Sequence, residues 1–159
     1  MDSLNLNKST SILNYNAVPF SGTAILRYPN NSLATSIDYR NGRRNGVYRK
    51  WFADGKLSYE ANYTNGKKNG KSFSWWSNGN LRTESVFVND IPDGIQLQYY
   101  KSGSKFKKIH LKMGKEDGLQ QSWRENGKLY NNYEAKNGRI FGLKRSKLCF
   151  KLDDEEIQY

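Results

Sequence analysis

The residue types that most often carry catalysis or bind metals are sparse in this chain. His110 is the single histidine and Cys149 the single cysteine among 159 residues. The nearby Lys108 and Lys112 are not metal ligands, and neither would orient an imidazole as an acidic residue does. One cysteine also excludes an internal disulfide and a multi-cysteine metal site. The sequence therefore predicts a protein that is not an enzyme and that needs no metal or cofactor.

The carboxylates and glycines have structural interpretations as well. Glu60 and Glu84 occupy equivalent places in a repeat, so we expect ordinary cross-strand ion pairs with Arg49 or Arg82. The glycines have the spacing of hairpin turns, and none opens a phosphate-binding loop before a helix. Cys149 is interpreted as a small apolar residue of a terminal strand, with a reactive thiol as the alternative.

What remains is the chemistry of binding, which cations and aromatic rings can provide. The net charge is +11 and aromatic residues make up 14% of the chain. Four large rings recur at one position of the repeat and form a candidate contact surface for a partner: Trp51, Trp75, Tyr99 and Trp123. The alternative is that these rings only pack against one another and against their strand neighbours.

A second group of candidates consists of cations placed beside recurring turns. They are Arg40, Arg43, Arg44, Lys67, Lys68, Lys112, Lys115, Lys136 and Arg139. In a meander these turns lie along one edge, so the cations would form a basic edge that attracts an acidic protein, an anionic lipid or nucleic acid. The segment Asn89-Asp90-Ile91-Pro92-Asp93 interrupts this edge, and Glu116 and Asp117 dilute it. The alternative is that lysines in exposed turns only keep the protein soluble and discourage edge-to-edge association.

A fixed repeat must position all of these side chains. Glycine recurs at one constant interval, at Gly22, Gly46, Gly70, Gly94, Gly118 and Gly142. Each unit contains a first turn such as Asp54-Gly55 and a second turn such as Asn65-Gly66, and Asn, Asp and Gly are the residues that tolerate positive φ in hairpins. Strand-length stretches rich in aromatic residues separate the turns, and no helical period is sustained.

These signals predict an all-β fold, an elongated, twisted, single-layer antiparallel meander of about ten strands. A two-residue type I′ turn at Asp54-Gly55 would place Phe52 opposite Leu57 and Lys50 opposite Tyr59. Hydrophobic residues make up 36% of the chain, which is low for a thick core. Stability should therefore accumulate along the array through cross-strand pairs worth ~0.2–1 kcal/mol each.

The repeating unit resembles the MORN repeat, in the variant form known from bacteria. The matching elements of one unit are Trp51-Phe52, Asp54-Gly55-Lys56-Leu57 and Tyr63-Thr64-Asn65-Gly66-Lys67. The resemblance covers roughly residues 20–145, with departures at Asp90, Lys105 and Met113. Proteins of this variant family are commonly labelled as antitoxin components of toxin–antitoxin or toxin–immunity pairs. The resemblance therefore implies a non-enzymatic, protein-binding role.

The chain divides into three parts on composition. Residues 1–18 are expected to be a flexible polar leader, residues 19–150 the MORN-like repeat domain with about five units and a half-unit, and residues 151–159 an acidic tail. The leader lacks the charged start and apolar run of a secretory signal, and no segment has transmembrane length. The sequence as it stands predicts a cytoplasmic protein, or an extracytoplasmic one if a signal has been removed.

The predicted function is that of a repeat scaffold which binds another protein, of the antitoxin or immunity type. The alternative is an electrostatic binder of anionic lipid or nucleic acid through the basic edge. Both predictions allow end-to-end self-association of the open terminal strands.

Overall fold

The computed structural model describes residues 4–7 and 11–143, and within these ranges the secondary structure consists of strands and turns without a helix. The predicted strand at Cys149 and the predicted acidic tail lie outside the described residues. The strands are β1 (Leu4–Asn7), β2 (Ile12–Tyr15), β3 (Val18–Pro19), β4 (Gly22–Arg27), β5 (Leu33–Arg40), β6 (Arg43–Trp51), β7 (Leu57–Thr64), β8 (Lys67–Trp75), β9 (Leu81–Val88), β10 (Ile91–Pro92), β11 (Gly94–Tyr99), β12 (Lys105–Lys112), β13 (Lys115–Glu116), β14 (Gly118–Trp123), β15 (Leu129–Lys136) and β16 (Arg139–Leu143).

The strands form an antiparallel meander, as the sequence predicts. Strands β4 to β16 make one 13-stranded sheet in chain order, and β1 to β3 make a small sheet of their own. The short β10 and β13 pair with the ends of β9 and β12, ahead of β11 and β14. The sheet is open, with β4 and β16 as its outer strands. The segment predicted to be a leader thus holds strands β1 and β2.

The second turn of each unit is formed where the sequence predicts it, in the type I′ conformation. Asn65 and Gly66 have φ of 50° and 85°, the two positive values which that turn requires. The same pair of positive values recurs at Asn41-Gly42, Asn89-Asp90, Met113-Gly114 and Asn137-Gly138. Asp90 and Met113, two departures from the repeat pattern, therefore adopt the turn without changing it.

The first turn of each unit is not the predicted two-residue type I′ turn. Asp54 does not have positive φ, whereas Gly55 has φ 85°. The amide of Gly55 donates to the carbonyl of Phe52 at 2.9 Å, and the amide of Phe52 donates to the carbonyl of Lys56 at 2.8 Å. These bonds define a three-residue loop, in which a type I turn is followed by a left-handed glycine and a bulge.

The bulge changes the strand register next to the turn. Trp51, and not Phe52 as predicted, lies opposite Leu57. Beyond the bulge the predicted register is confirmed, because Lys50 pairs with Tyr59. The prediction failed locally because Asp-Gly suits both loop types, and only the hydrogen bonds of the loop distinguish them.

Small side chains dominate the thin interior. The buried apolar residues of the described chain are Ala34, Ala61, Tyr133 and Ala135. Four polar residues are buried as well, namely Ser72, Gln96, Gln120 and Ser122. A single layer has no second sheet to pack against, so its buried positions lie close to the backbone and admit few large apolar groups.

Two of the buried polar residues repair gaps in the backbone ladder. Gln120 is 2% exposed, and its Oε1 accepts from the amide of His110 at 3.1 Å. Its Nε2 donates to the carbonyls of His110 at 2.7 Å and Gly118 at 3.2 Å. Gln96, its counterpart in the preceding unit, makes the same contacts with Val86 and Gly94. The side-chain amide thus replaces a backbone hydrogen bond between neighbouring strands at the point where one strand bulges.

In the earlier units, a side chain on the opposite strand replaces the missing backbone hydrogen bond. The Asp38 carboxylate accepts from the amide of Val47 at 3.0 Å, and the Asn62 amide donates to the carbonyl of Lys71 at 3.2 Å. Asp38 and Asn62 occupy the repeat position of Val86 and His110. At each of the four junctions β5–β6, β7–β8, β9–β11 and β12–β14, one polar side chain therefore crosses the bulge, as expected where backbone groups need partners.

We expect Gln120→Leu to destabilise the protein by about 1–3 kcal/mol, because the amide of His110 would lose its acceptor and the carbonyl of His110 would keep only the amide of Asp117 as a donor. Gln121→Leu is the matched control, since Gln121 bonds to the exposed Asn132 and should change stability by about 0.5 kcal/mol or less. Urea unfolding followed by tryptophan fluorescence measures both. Equal urea unfolding midpoints for the two variants would show that the Gln120 side chain does not stabilise the pairing of the strands.

Candidate functional site

Backbone hydrogen bonds stack the second turns along one edge of the sheet. The amides of Gly42, Gly66, Asp90 and Gly114 donate to carbonyls of the preceding unit, at distances of 2.7–2.9 Å. A side chain adds a further bond between successive turns, since the amide of Asn65 donates to Asn45 Oδ1 at 3.2 Å and the amide of Met113 donates to Asp93 Oδ2 at 2.9 Å. The turns therefore form a continuous edge, which we call the turn edge.

The nine cations predicted to form a basic edge all flank these turns. The group comprises Arg40, Arg43, Arg44, Lys67, Lys68, Lys112, Lys115, Lys136 and Arg139, and all except Lys68 are exposed. None of the nine forms an ion pair within the described part of the chain.

Three cations elsewhere on the described sheet are paired with carboxylates. Arg49 bonds to Glu60 at 2.7 Å, as one of the two predicted partners. Glu84 pairs with Lys71 at 3.0 Å rather than with Arg82. The ion pairs of the described chain thus lie away from the turn edge, and none involves its nine cations.

Two of the edge cations are held by aromatic rings. The Arg44 guanidinium lies 5.7 Å from the Tyr48 ring centroid and 5.4 Å from that of Tyr63. Partial burial opposes the charge of Arg44, but its hydrogen bonds and electrostatic contacts with the Tyr39 and Tyr63 hydroxyls outweigh this and raise its pKa. Arg44 is therefore a permanent cation in a defined orientation.

Lys68 has a similar ring environment in the next unit. Its Nζ lies 4.3 Å from the Phe87 ring centroid and 5.6 Å from that of Tyr59. Burial alone would raise the pKa of Tyr59, but the hydrogen bond with Ser72 and the nearby Lys68 lower it. Burial and the neighbouring Tyr59 raise the pKa of Tyr63. The first two stacked turns thus carry cations fixed by tyrosines.

Two adjoining grooves lie at this end of the turn edge. The larger has a volume of about 460 Å³ and is lined by Arg40, Asn41, Arg43, Asn45 and Asn65. The smaller has a volume of about 340 Å³ and is lined by Ser11, Tyr39, Arg43, Arg44, Asn65, Gly66 and Lys67. Among the described residues, no carboxylate lines either groove. The arrangement can bind anions, but these lining residues contain no acid–base pair or nucleophile with an activating base.

The aromatic row lies on the face that carries the ion pairs. Trp51, Trp75, Tyr99 and Trp123 are all half-buried. The Trp75 ring contacts Phe73, two residues earlier on the same strand, at 6.0 Å between centroids. Among the residues that the structure describes, no ring contact joins two members of the row. The rings therefore do not form a continuous stack with one another.

Adjacent aromatic residues anchor the backbone of the row. Tyr28 donates its hydroxyl to the carbonyl of Trp51 at 2.8 Å, and Tyr100 donates to the carbonyl of Trp123 at 3.0 Å. The Trp76 indole donates to the carbonyl of Tyr99 at 3.2 Å. Sequence reasoning missed these bonds, although the ring that directly follows Trp51, Trp75 and Tyr99 was a signal for them.

The described residues hold no cluster of histidine, cysteine and carboxylate side chains suited to a metal ion. They also hold no helix long and apolar enough to cross a membrane.

One repeat breaks the anchoring pattern and so provides a test. Phe52 occupies the position of Tyr28 and Tyr100 but has no hydroxyl to donate to the carbonyl of Trp75. We expect Tyr100→Phe to destabilise the protein by about 1 kcal/mol and Phe52→Tyr to stabilise it by a similar amount. Thermal and urea unfolding measure both changes.

The control for this comparison is Tyr130→Phe, which removes a hydroxyl that forms no hydrogen bond in the described structure. Its stability should stay within about 0.5 kcal/mol of the wild type. If Tyr100→Phe is no less stable than Tyr130→Phe, the phenolic bonds do not anchor the row.

Comparison with known proteins identifies the repeat. The family model described as MORN repeat variant matches residues 44–65 and 68–89, two segments that are offset by one repeat and lie in neighbouring hairpins. A search of curated proteins finds no matching relative. MORN repeats are in general modules that bind proteins or membranes. The chain contains two detected MORN repeat-variant units within its larger hairpin array.

Proposed function

We propose that this chain is a non-enzymatic repeat scaffold that binds another protein through the face carrying the aromatic row. The observation that supports this most directly is the state of Trp51, Trp75, Tyr99 and Trp123. These rings are half-buried, three of the four have a backbone carbonyl anchored by a neighbouring ring, and they do not stack on one another. Tryptophan and tyrosine in such rigid positions are the residues most often found at the energetic centre of protein interfaces.

The rigid ladder makes this face suited to binding without rearrangement. Three of the four row carbonyls are fixed by hydrogen bonds from the preceding unit, so little conformational entropy is lost when a partner covers the rings. The ion pairs Arg49–Glu60 and Lys71–Glu84 lie on the same face and would form a polar surround. The resemblance to antitoxin-labelled proteins makes a toxin the first class of partner to examine.

The test is to isolate a partner with the full chain, identify it, and measure its affinity by calorimetry. We expect Trp75→Ala to weaken binding by at least about 30-fold, the effect of losing an interface residue worth about 2 kcal/mol. Met113→Ala is the control, since this residue is 72% exposed and lies on the turn edge, away from the row.

A Trp75→Phe variant separates binding from folding, because it retains a ring on the strand. If Trp75→Ala and Trp75→Phe both keep the wild-type unfolding midpoint and both bind the partner with wild-type affinity, the aromatic face is not the contact surface.

The second candidate function is electrostatic binding of anionic lipid or nucleic acid along the turn edge. The specific observation that favours it is the absence of ion pairs at the nine edge cations of the described chain, whereas Arg49 and Lys71 on the row face are paired. A stretch of uncompensated charge attracts polyanions at long range, and the attraction falls steeply with salt.

The second candidate predicts a charge-reversal effect confined to one edge. Arg43→Glu combined with Lys67→Glu should abolish most binding to anionic vesicles or single-stranded oligonucleotides and flatten the salt dependence measured between ~50 and ~200 mM salt. Lys101→Glu, at an exposed first turn on the opposite side of its hairpin, is the control. Equal losses for edge and control variants would mean that net charge alone, without a defined edge, drives the interaction.

A further inference from the structure

We propose that the junction between the first two stacked turns of the 13-stranded sheet is a specific site for a ligand that carries two neighbouring phosphate groups. This inference rests on the second candidate function and narrows it from a charged edge to one site. The grooves of about 460 Å³ and 340 Å³ meet there and share Arg43 and Asn65. Each groove has cations of its own, Arg40 in the larger one and Arg44 and Lys67 in the smaller one.

The lining groups are set up to donate hydrogen bonds. Asn45 Oδ1 already accepts from the amide of Asn65, so the remaining polar group of this side chain is its NH₂, a donor. Arg40 and Arg43 are exposed and have no carboxylate partner in the described chain. Guanidinium groups match the geometry of phosphate oxygens and bind them through paired hydrogen bonds.

The smaller groove provides a second, separately fixed cation. The Arg44 guanidinium is positioned by the rings of Tyr48 and Tyr63, and Lys67 lines the same groove. One phosphate in each groove, on either side of the shared Arg43, would place cations on both sides of the bridging oxygen. This division of the cations is the reason for inferring two phosphate groups and not one.

The same backbone occurs again three units later with a different charge balance. A groove of about 380 Å³ is lined by Lys112, Met113, Lys115, Asp117 and Asn137, each at the repeat position of its counterpart in the larger groove. Glu116 also lines it. Two carboxylates there offset two lysines, so the repeated geometry alone does not create the anion site.

The acidic character of the later groove is visible in its neighbour. Tyr133 donates its hydroxyl to Glu116 at 2.9 Å, and burial together with this carboxylate raises the pKa of Tyr133 to about 12. A phosphate entering this groove would meet the charge of Glu116. The cationic junction and the later groove therefore serve as site and internal control within one molecule.

Asn45→Asp is the decisive variant, because the fold already accepts aspartate at this repeat position. Asp93 is its equivalent, and its carboxylate accepts the next turn's amide as Asn45 does. The substitution should keep the turn bond while adding a negative charge to the larger groove. Asp117→Asn makes the reverse change in the later groove and is the matched control.

The experiment is calorimetric titration of the full chain with inorganic phosphate and with pyrophosphate at low salt. We expect pyrophosphate to bind at least about tenfold more tightly than phosphate, because it reaches the cations of both grooves. Asn45→Asp should weaken pyrophosphate binding about tenfold or more, and Asp117→Asn should leave it unchanged. Equal affinities for the two anions, or an Asn45→Asp variant that binds as the wild type does, would overturn the proposal.

Two further arms distinguish the sources of such a ligand. A nucleoside diphosphate in solution tests a free compound, and phosphatidylcholine vesicles containing a lipid with two phosphates on its headgroup test a membrane. If pyrophosphate displaces the nucleoside diphosphate or the vesicles from the wild type but not from Asn45→Asp, the site is supported. The ligand that is displaced then identifies the source of the phosphate groups. A protein partner should bind the aromatic face of Asn45→Asp with the same affinity as that of the wild type. The phosphate-site proposal and the aromatic-face proposal can therefore be refuted independently.

Discussion

The structure depends on keeping a ladder of backbone hydrogen bonds unbroken in a sheet of one layer. Because no second layer covers either face of the described sheet, there is no thick apolar core to compensate for an unpaired amide or carbonyl. Four junctions between successive units nevertheless contain a bulge where direct pairing fails. Short polar side chains close the gap, Asp38 and Asn62 in the earlier units and Gln96 and Gln120 in the later ones. The units use different residues to satisfy one requirement.

The same requirement governs where binding chemistry can lie. Apart from Tyr133, the buried positions of the described strands hold alanine, serine and glutamine, so most large and charged side chains lie on the open faces and at the turns. On the row face Arg49 and Lys71 form ion pairs, and three of the four row carbonyls are anchored by neighbouring rings. At the turn edge the backbone is already satisfied by stacking from turn to turn, and Arg40 and Arg43 have no carboxylate partner in the described chain. Their guanidinium groups are therefore available to a ligand.

Much of this architecture could be predicted from the sequence, and the failures are local. The glycine period and the Asn-Gly turns predict the meander because both encode backbone conformation directly. The predicted loop type at Asp54-Gly55 was wrong because the same residues suit two loop types. The roles of Gln96 and Gln120 could not be found before the register was known, since a glutamine in a strand has no distinguishing pattern. The grooves also escaped prediction, because their walls come from the turns of successive units, which are distant from one another in the sequence.

The comparison of equivalent grooves explains how a repeat can become specific. Repetition fixes the backbone position of each lining residue, so one substitution changes the charge of a site while the backbone around it is retained. Asn45 and Asp117 illustrate this, because they occupy the same place in grooves three units apart and give them different charge balances. A stacked array can therefore vary the residues of one unit for binding while the other units maintain the backbone hydrogen bonds of the sheet. Specificity in such a protein comes from departures from the repeat, and the repeat itself provides the rigid geometry that makes those departures effective.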